Sequence, residues 1–282
     1  MQPALVALLL GATCIALSPI FVRVSDVGPT ASAFWRVALA APLLWPLVAL
    51  SRAAPSRIDW KALLVAGLAF AGDLAFWHWS IQYTSVANST LLANLASLFV
   101  TLAMWMFWRE RPTRMFVAGL AAALIGVGVL VHSSLEFSAT ALLGDALGLI
   151  TAAFYAAYIL AVKGLRDRGA RTLHLMAVTS TMTAIFLLPL ALASGEAMLP
   201  STAIGWLKLV GLAWISHCAG QGLIAYSLAH LPAAFSSVSL LFQPVMAALF
   251  AWLLLAEPVG NLQFVGGAIV LAGIYLARRG SR

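Results

Sequence analysis

The chain has 282 residues, 63% of them hydrophobic and only 9% charged, against about 25% charged in an ordinary soluble domain. No soluble fold of this size hides that much apolar side chain, so the surplus must face lipid. The net charge of +7 is not a nucleic-acid signal, because the basic residues sit in short clusters between apolar runs, as membrane topology requires.

A bilayer core of about 30 Å takes roughly 20 apolar residues as a helix. On that ruler the first span falls near 3–22. Its polar and small stripe is Gly11, Cys14 and Ser18. The N-terminus lacks a basic n-region and a small-residue cleavage site, so it reads as a span and not as a signal peptide. The second span, near 30–50, holds Arg36 a few residues inside its start. The third, near 61–81, carries Asp73, Trp77 and Ser80 at helical spacing, with His78 to one side. The fourth, near 86–108, carries the stripe Thr90, Asn94, Ser97 and Thr101, and the fifth lies near 115–132.

The second half follows the same plan. A sixth span near 142–162 offers Thr151, Tyr155 and Tyr158, and a seventh lies near 173–193. An eighth near 204–228 offers Trp214, His217 and Gln221. A ninth near 233–255 offers Ser236, Ser239 and Gln243, and a tenth lies near 260–277. The expected fold is therefore an all-α integral membrane protein of ten helices. Continuous runs without alternation exclude a β-barrel, and lipid leaves no room for unpaired backbone. Cys14 and Cys218 both lie inside apolar runs, so no disulfide framework is expected.

Lys and Arg fix the expected orientation. Arg52, Arg57 and Lys61, then Arg109, Arg111 and Arg114, then Lys163, Arg166, Arg168 and Arg171, then Arg278, Arg279 and Arg282 all fall on one side. The other side has only Arg23 and Lys208. The positive-inside rule places both termini in the cytoplasm, for a multi-pass protein of the inner membrane.

The halves repeat. A shift of 147 residues carries Lys61 onto Lys208, Ser80 onto Ser227, Ala87 onto Ala234, Glu110 onto Glu257, Gly119 onto Gly266 and Gly126 onto Gly273. Five spans is an odd number, so repeats of 1–137 and 138–282 are expected to lie inverted. Inverted repeats are the usual architecture of secondary carriers, with the solute site near midplane.

Five-plus-five helices, the Glu110 and Glu257 turns before glycine-spaced helices, and Ala-His-Leu-Pro-Ala-Ala leading into Phe242-Gln243-Pro244-Val245 resemble the EamA family of the drug/metabolite transporter superfamily. Asp73 in the third span and Asn94 in the fourth are most similar to the YddG-type amino acid exporters. That resemblance implies export of aromatic and other amino acids, with cytoplasmic termini. Ser97 departs from the pattern, standing where a proline is common, as Pro244 is in the second half.

A polar side chain in lipid needs a partner or a cavity. Asp73, Asn94, Ser97, His217 and Gln243 fall at similar depth, as a solute cavity at the bilayer centre requires. The candidate cavity residues are Asp73, Trp77, His78, Asn94, Ser97, Tyr155, Tyr158, Trp214, His217, Gln221, Ser239 and Gln243. Serines and threonines often only bond back to their own helix. For Arg36 an anion contact is possible through its bidentate fork. Snorkelling to the outer interface, or a pairing with Asp145, is the preferred reading. Glu110 and Glu257 are expected to settle turns.

Other classes are poorly supported. The sequence has no Walker A or His-Glu-x-x-His motif. Gly72-Asp73 and Gly144-Asp145 faintly suggest an aspartyl protease, but the two carboxylates fall at different depths and could not share a proton. A purely structural subunit gives no reason for polar stripes at one depth. The expected partners are a small solute and the lipid bilayer, with no nucleic acid, no cofactor and no metal, and a monomer suffices. The sequence leaves open a nucleoside-like or drug-like solute, and it leaves open whether Asp73 or His217 couples transport to protons.

Overall fold

The computed structural model describes residues 2–51, 59–84, 86–132, 141–256 and 260–281. Ten helices among these are long and apolar enough to cross a bilayer. In chain order they are span 1, Gln2–Arg23; span 2, Pro29–Leu50; span 3, Trp60–Tyr83; span 4, Asn88–Trp108; and span 5, Arg114–Val131. Then come span 6, Ala141–Asp167; span 7, Thr172–Ala193; span 8, Ala203–Leu228; span 9, Ala233–Leu255; and span 10, Asn261–Gly280. No strand occurs among the described residues. The expected junction at 137/138, and Arg52, Arg57 and Glu257, lie outside the described residues.

Glycine spacing explains how the halves meet. Spans 5 and 10 pack backbone to backbone, because Gly119 faces Gly273 and Gly126 faces Gly266. As numbers rise along span 5 they fall along span 10, so the two helices run antiparallel. The repeat equates Gly119 with Gly266 and Gly126 with Gly273, so each of these contacts is the image of the other. Reciprocal contacts of this kind are what the expected inversion of the repeats would produce. A Cβ on Gly119 would stand 2.3 Å from the Ala277 nitrogen, and one on Gly126 would stand 2.6 Å from that of Val270.

The same exchange runs through the rest of the bundle. Span 3 packs on span 6 just as span 8 packs on span 1. Ser80 Oγ donates to the Gly144 carbonyl oxygen at 2.7 Å, and its counterpart Ser227 Oγ donates to that of Ala4 at 2.9 Å. Spans 4 and 9 both end on a left-handed residue, Arg109 (φ 59°) and Ala256 (φ 53°). After the first of these, the Glu110 N–H donates to the Met104 carbonyl oxygen and closes the turn.

Four spans are not continuous. Span 1 breaks at Leu17, span 2 at Leu39–Ala40, span 4 at Asn94–Leu95 and span 9 at Leu240–Leu241. Pro19, Pro42 and Pro244 follow three of these breaks. A proline lacks the N–H of a helix and clashes with the preceding turn. Span 4 reaches the same break without one. Asn94 Nδ2 donates to the Thr90 carbonyl oxygen at 2.8 Å, and Ser97 Oγ donates to that of Asn94 at 3.0 Å. Side chains that take carbonyls from the ladder bend a helix. Span 8 is irregular too, being a π-helix over Leu212–Gln221.

Each end of the bundle carries a polar tie. At one end the Glu196 carboxylate accepts from the N–H groups of Thr30 (2.8 Å) and Ala31 (3.1 Å), from Thr30 Oγ1 and from Gln82. It caps span 2 from the loop before span 8 and satisfies donors the helix leaves free. At the other end Arg168 and Asp59 form an ion pair at 2.5 Å.

Candidate functional site

The breaks in spans 1, 4 and 9 converge on a cavity of about 110 Å³. Ile15, Ser18 and Pro19 of span 1 line it, with Arg36 of span 2, and Asp73 and Trp77 of span 3. Thr90 and Asn94 of span 4, Thr151 and Tyr155 of span 6, Gln221 of span 8, and Gln243 and Pro244 of span 9 complete the wall. Both halves contribute. Broken helices reach this depth only where they are buried in protein or line a cavity.

The wall is chemically incomplete. Ser18 Oγ, Arg36 Nε, Thr90 Oγ1 and Gln221 Oε1 are buried and have no hydrogen-bond partner among the described residues. All four side chains line the cavity. A buried polar atom left unmade costs about 1–3 kcal/mol, so four around one space mark a site shaped for something polar. Tyr155, Gln221 and Gln243 bring polar groups of spans 6, 8 and 9 to the same wall. Arg36 sits over the Phe70 ring, 5.9 Å from its centroid, a cation–π geometry. Arg36 and Asp73 open onto the same cavity from spans 2 and 3.

Of the candidates from sequence, Asp73, Trp77, Asn94, Tyr155, Gln221 and Gln243 are brought together on this wall. The other six are placed elsewhere. His78 is fully buried, and Nδ1 lies 2.7 Å from the Leu74 carbonyl oxygen. That oxygen can only accept, so Nδ1 carries the proton. His217 Nε2 is 2.8 Å from Ser180 Oγ, with its ring stacked on Phe70 behind the wall. Tyr158 packs on the same Phe70 at 4.6 Å. Ser97 and Ser239 bond back to their own helices, Ser239 to the Phe235 carbonyl oxygen. Trp214 is 46% exposed on the outside of the bundle, its Nε1 donating to the Leu39 carbonyl oxygen at 3.1 Å.

Arg36 corrects the sequence reading. It neither snorkels to an interface nor pairs with Asp145. It is 5% exposed and faces the cavity, while Asp145 lies 3.5 Å from Asn88. The signal was there, since Arg36 is an intramembrane cation several residues beyond Pro29. What holds the guanidinium inside is the Phe70 ring against which it lies.

The EamA-like transporter family matches the chain twice, over residues 2–132 and 142–279. An "Uncharacterized transporter" of Archaeoglobus fulgidus is 31% identical over 271 residues, 91% of each chain. A "Probable amino-acid metabolite efflux pump" of Salmonella typhimurium is 28% identical over 230 residues, covering 78% of this chain and 77% of that one. A crystal structure superimposes with a TM-score of 0.85 over 100% of this chain and 99% of its own, at 16% identity, a likeness of fold alone.

Proposed function

The chain belongs to the EamA-like transporter family, and we propose that it exports amino acids and their close metabolites, aromatic ones included, across the inner membrane by alternating access. It is a multi-pass membrane transporter of small metabolites and not an enzyme. The observation that carries the finer reading is the set of unpartnered polar atoms around the cavity where broken helices of both repeats meet. Inverted-repeat carriers place their solute at such a junction. The efflux-pump relative supports an amino-acid-like solute. Trp77, Tyr155 and Ile15 supply apolar wall for its side chain.

Alternating access needs a closure at each end that opens in turn. The Glu196 tie and the Asp59–Arg168 pair supply one apiece. The Lys and Arg bias puts Asp59 and Arg168 on the cytoplasmic side with both termini. Cysteines placed at Arg109 or Arg171 then react with an impermeant maleimide only from the cytoplasm, and those at the exposed Ala197 or Leu199, near Gly195, only from outside. Reaction of both sets from one side would sink this orientation.

The decisive experiment is counterflow in proteoliposomes preloaded with single amino acids. Labelled amino acid accumulates against the preload if the reading holds. A protein that moves none of a panel of neutral, aromatic and charged amino acids is not an amino acid exporter.

A further inference from the structure

We propose that Arg36 and Asp73 form a charge pair that reads the solute as a zwitterion, Arg36 receiving its carboxylate and Asp73 its ammonium. The proposal rests on the export reading above and adds which residues set the charge class.

Three observations carry it. First, both charges open onto one cavity, yet among the described residues neither side chain makes a hydrogen bond or ion pair. Arg36 is more than nine-tenths buried. A guanidinium offers five N–H donors in a fixed fork that matches a carboxylate. Here it is braced from behind by the Phe70 ring and leaves Nε unused. Second, the two side chains face one space from spans 2 and 3 without closing into an ion pair, so a solute bearing both charges can seat between them. Third, Gln221 Oε1 and Thr90 Oγ1 stand free on the same wall, acceptors for the remaining ammonium protons.

Charge balance then sets the order of preference. A zwitterion neutralises both walls and leaves no net charge in the membrane interior. A solute with an ammonium alone satisfies Asp73 but confronts Arg36 with a like charge. A solute with a carboxylate alone does the reverse. Each buries an unmatched charge, which the low-dielectric interior penalises.

The test uses the full-length protein in proteoliposomes at pH 7, with counterflow of labelled L-phenylalanine and of L-alanine. The competitors are the unlabelled amino acid, its amide (ammonium only) and its N-acetyl derivative (carboxylate only). For wild type, the amino acid competes at least about tenfold better than either derivative, the scale of one charged hydrogen-bonded contact. Arg36→Gln removes the preference over the amide but keeps that over the N-acetyl form. Asp73→Asn does the opposite. This crossed pattern cannot arise from a merely structural role, which weakens all three competitors together. Monodisperse elution in detergent reports folding. If Arg36→Gln does not fold, Arg36→Lys keeps the charge without the fork, and weakens the amino acid severalfold while leaving it ahead of the amide.

Parallel loss for all three competitors, or equal competition in wild type, overturns the charge pair and leaves amino acid export standing. Wild-type protein that carries neither labelled amino acid nor any other amino acid overturns the export reading, and the pair with it.

Discussion

At the seam between spans 5 and 10, Gly119 and Gly126 have the counterparts Gly266 and Gly273, residue for residue. At the cavity the same shift pairs Asp73 with Gly220, Trp77 with Ile224, Asn94 with Leu241 and Ser97 with Pro244. The seam keeps the repeat at its glycines; the cavity keeps only the backbone plan, with matching breaks in spans 4 and 9. Their tasks differ. A seam between two equivalent helices is best packed when both present the same small residues, because backbone approach is what binds helices in lipid. A solute with two different ends has no two-fold axis, so the wall that recognises it cannot keep one either. On the proposed function, symmetry retained marks scaffold and symmetry lost marks recognition.

That contrast can be broken most violently at the seam. Gly119→Leu forces a side chain into the Ala277 backbone, which cannot yield as a flexible chain could. Overpacking typically costs about 1–3 kcal/mol and occasionally more, and rigid backbone puts this site at the high end. The expected result is a large fall in detergent melting temperature, or no monodisperse protein. A variant that melts like wild type would mean that the two helices do not touch along this face.

A smaller effect is expected at the wall. Gln221→Leu removes one neutral acceptor from the cavity, worth about 0.5–1.5 kcal/mol. The folded protein persists, and the half-saturating solute concentration in counterflow rises about three- to tenfold. Unchanged affinity would take Gln221 off the recognition surface. The smallest effect is expected at Trp214, which the sequence stripe groups with Gln221 but the structure turns outward. Trp214→Phe gives up one half-exposed hydrogen bond and should leave flux within about twofold of wild type. A loss matching that of Gln221→Leu would return Trp214 to the cavity and erase the distinction between the two faces of span 8.

Why span 8 misled is physical. Trp214, His217 and Gln221 share one face at α-helical spacing. The segment is a π-helix, whose wider turn spreads these side chains. Gln221 reaches the cavity, His217 meets Ser180 behind it, and Trp214 meets Leu39 outside. Span 3 is a regular helix over the matching stretch, and there the stripe reading brought Asp73 and Trp77 to one wall. Ser97 and Ser239 show a different limit. Each polar stripe held them, but a serine satisfied by its own helix has no need of a cavity.

By itself the sequence determined what lipid dictates. Ten apolar runs long enough to span leave little choice but a ten-helix bundle, because every backbone group must be paired within the chain; an odd number per repeat and glycines at a constant offset lead to the expectation that the repeats are inverted. It also marked the residues too polar to face hydrocarbon. Which of them meet was decided only by the tertiary structure. The breaks at Leu17, Asn94 and Leu240 and the π-helix of span 8 turn side chains by amounts that no periodicity records. Arg36 shows the consequence most clearly. A guanidinium near a helix end can reach water or the interior at similar cost along its own helix. The packing of span 2 against spans 3 and 7, with Phe70 beneath the guanidinium, is what points it inward.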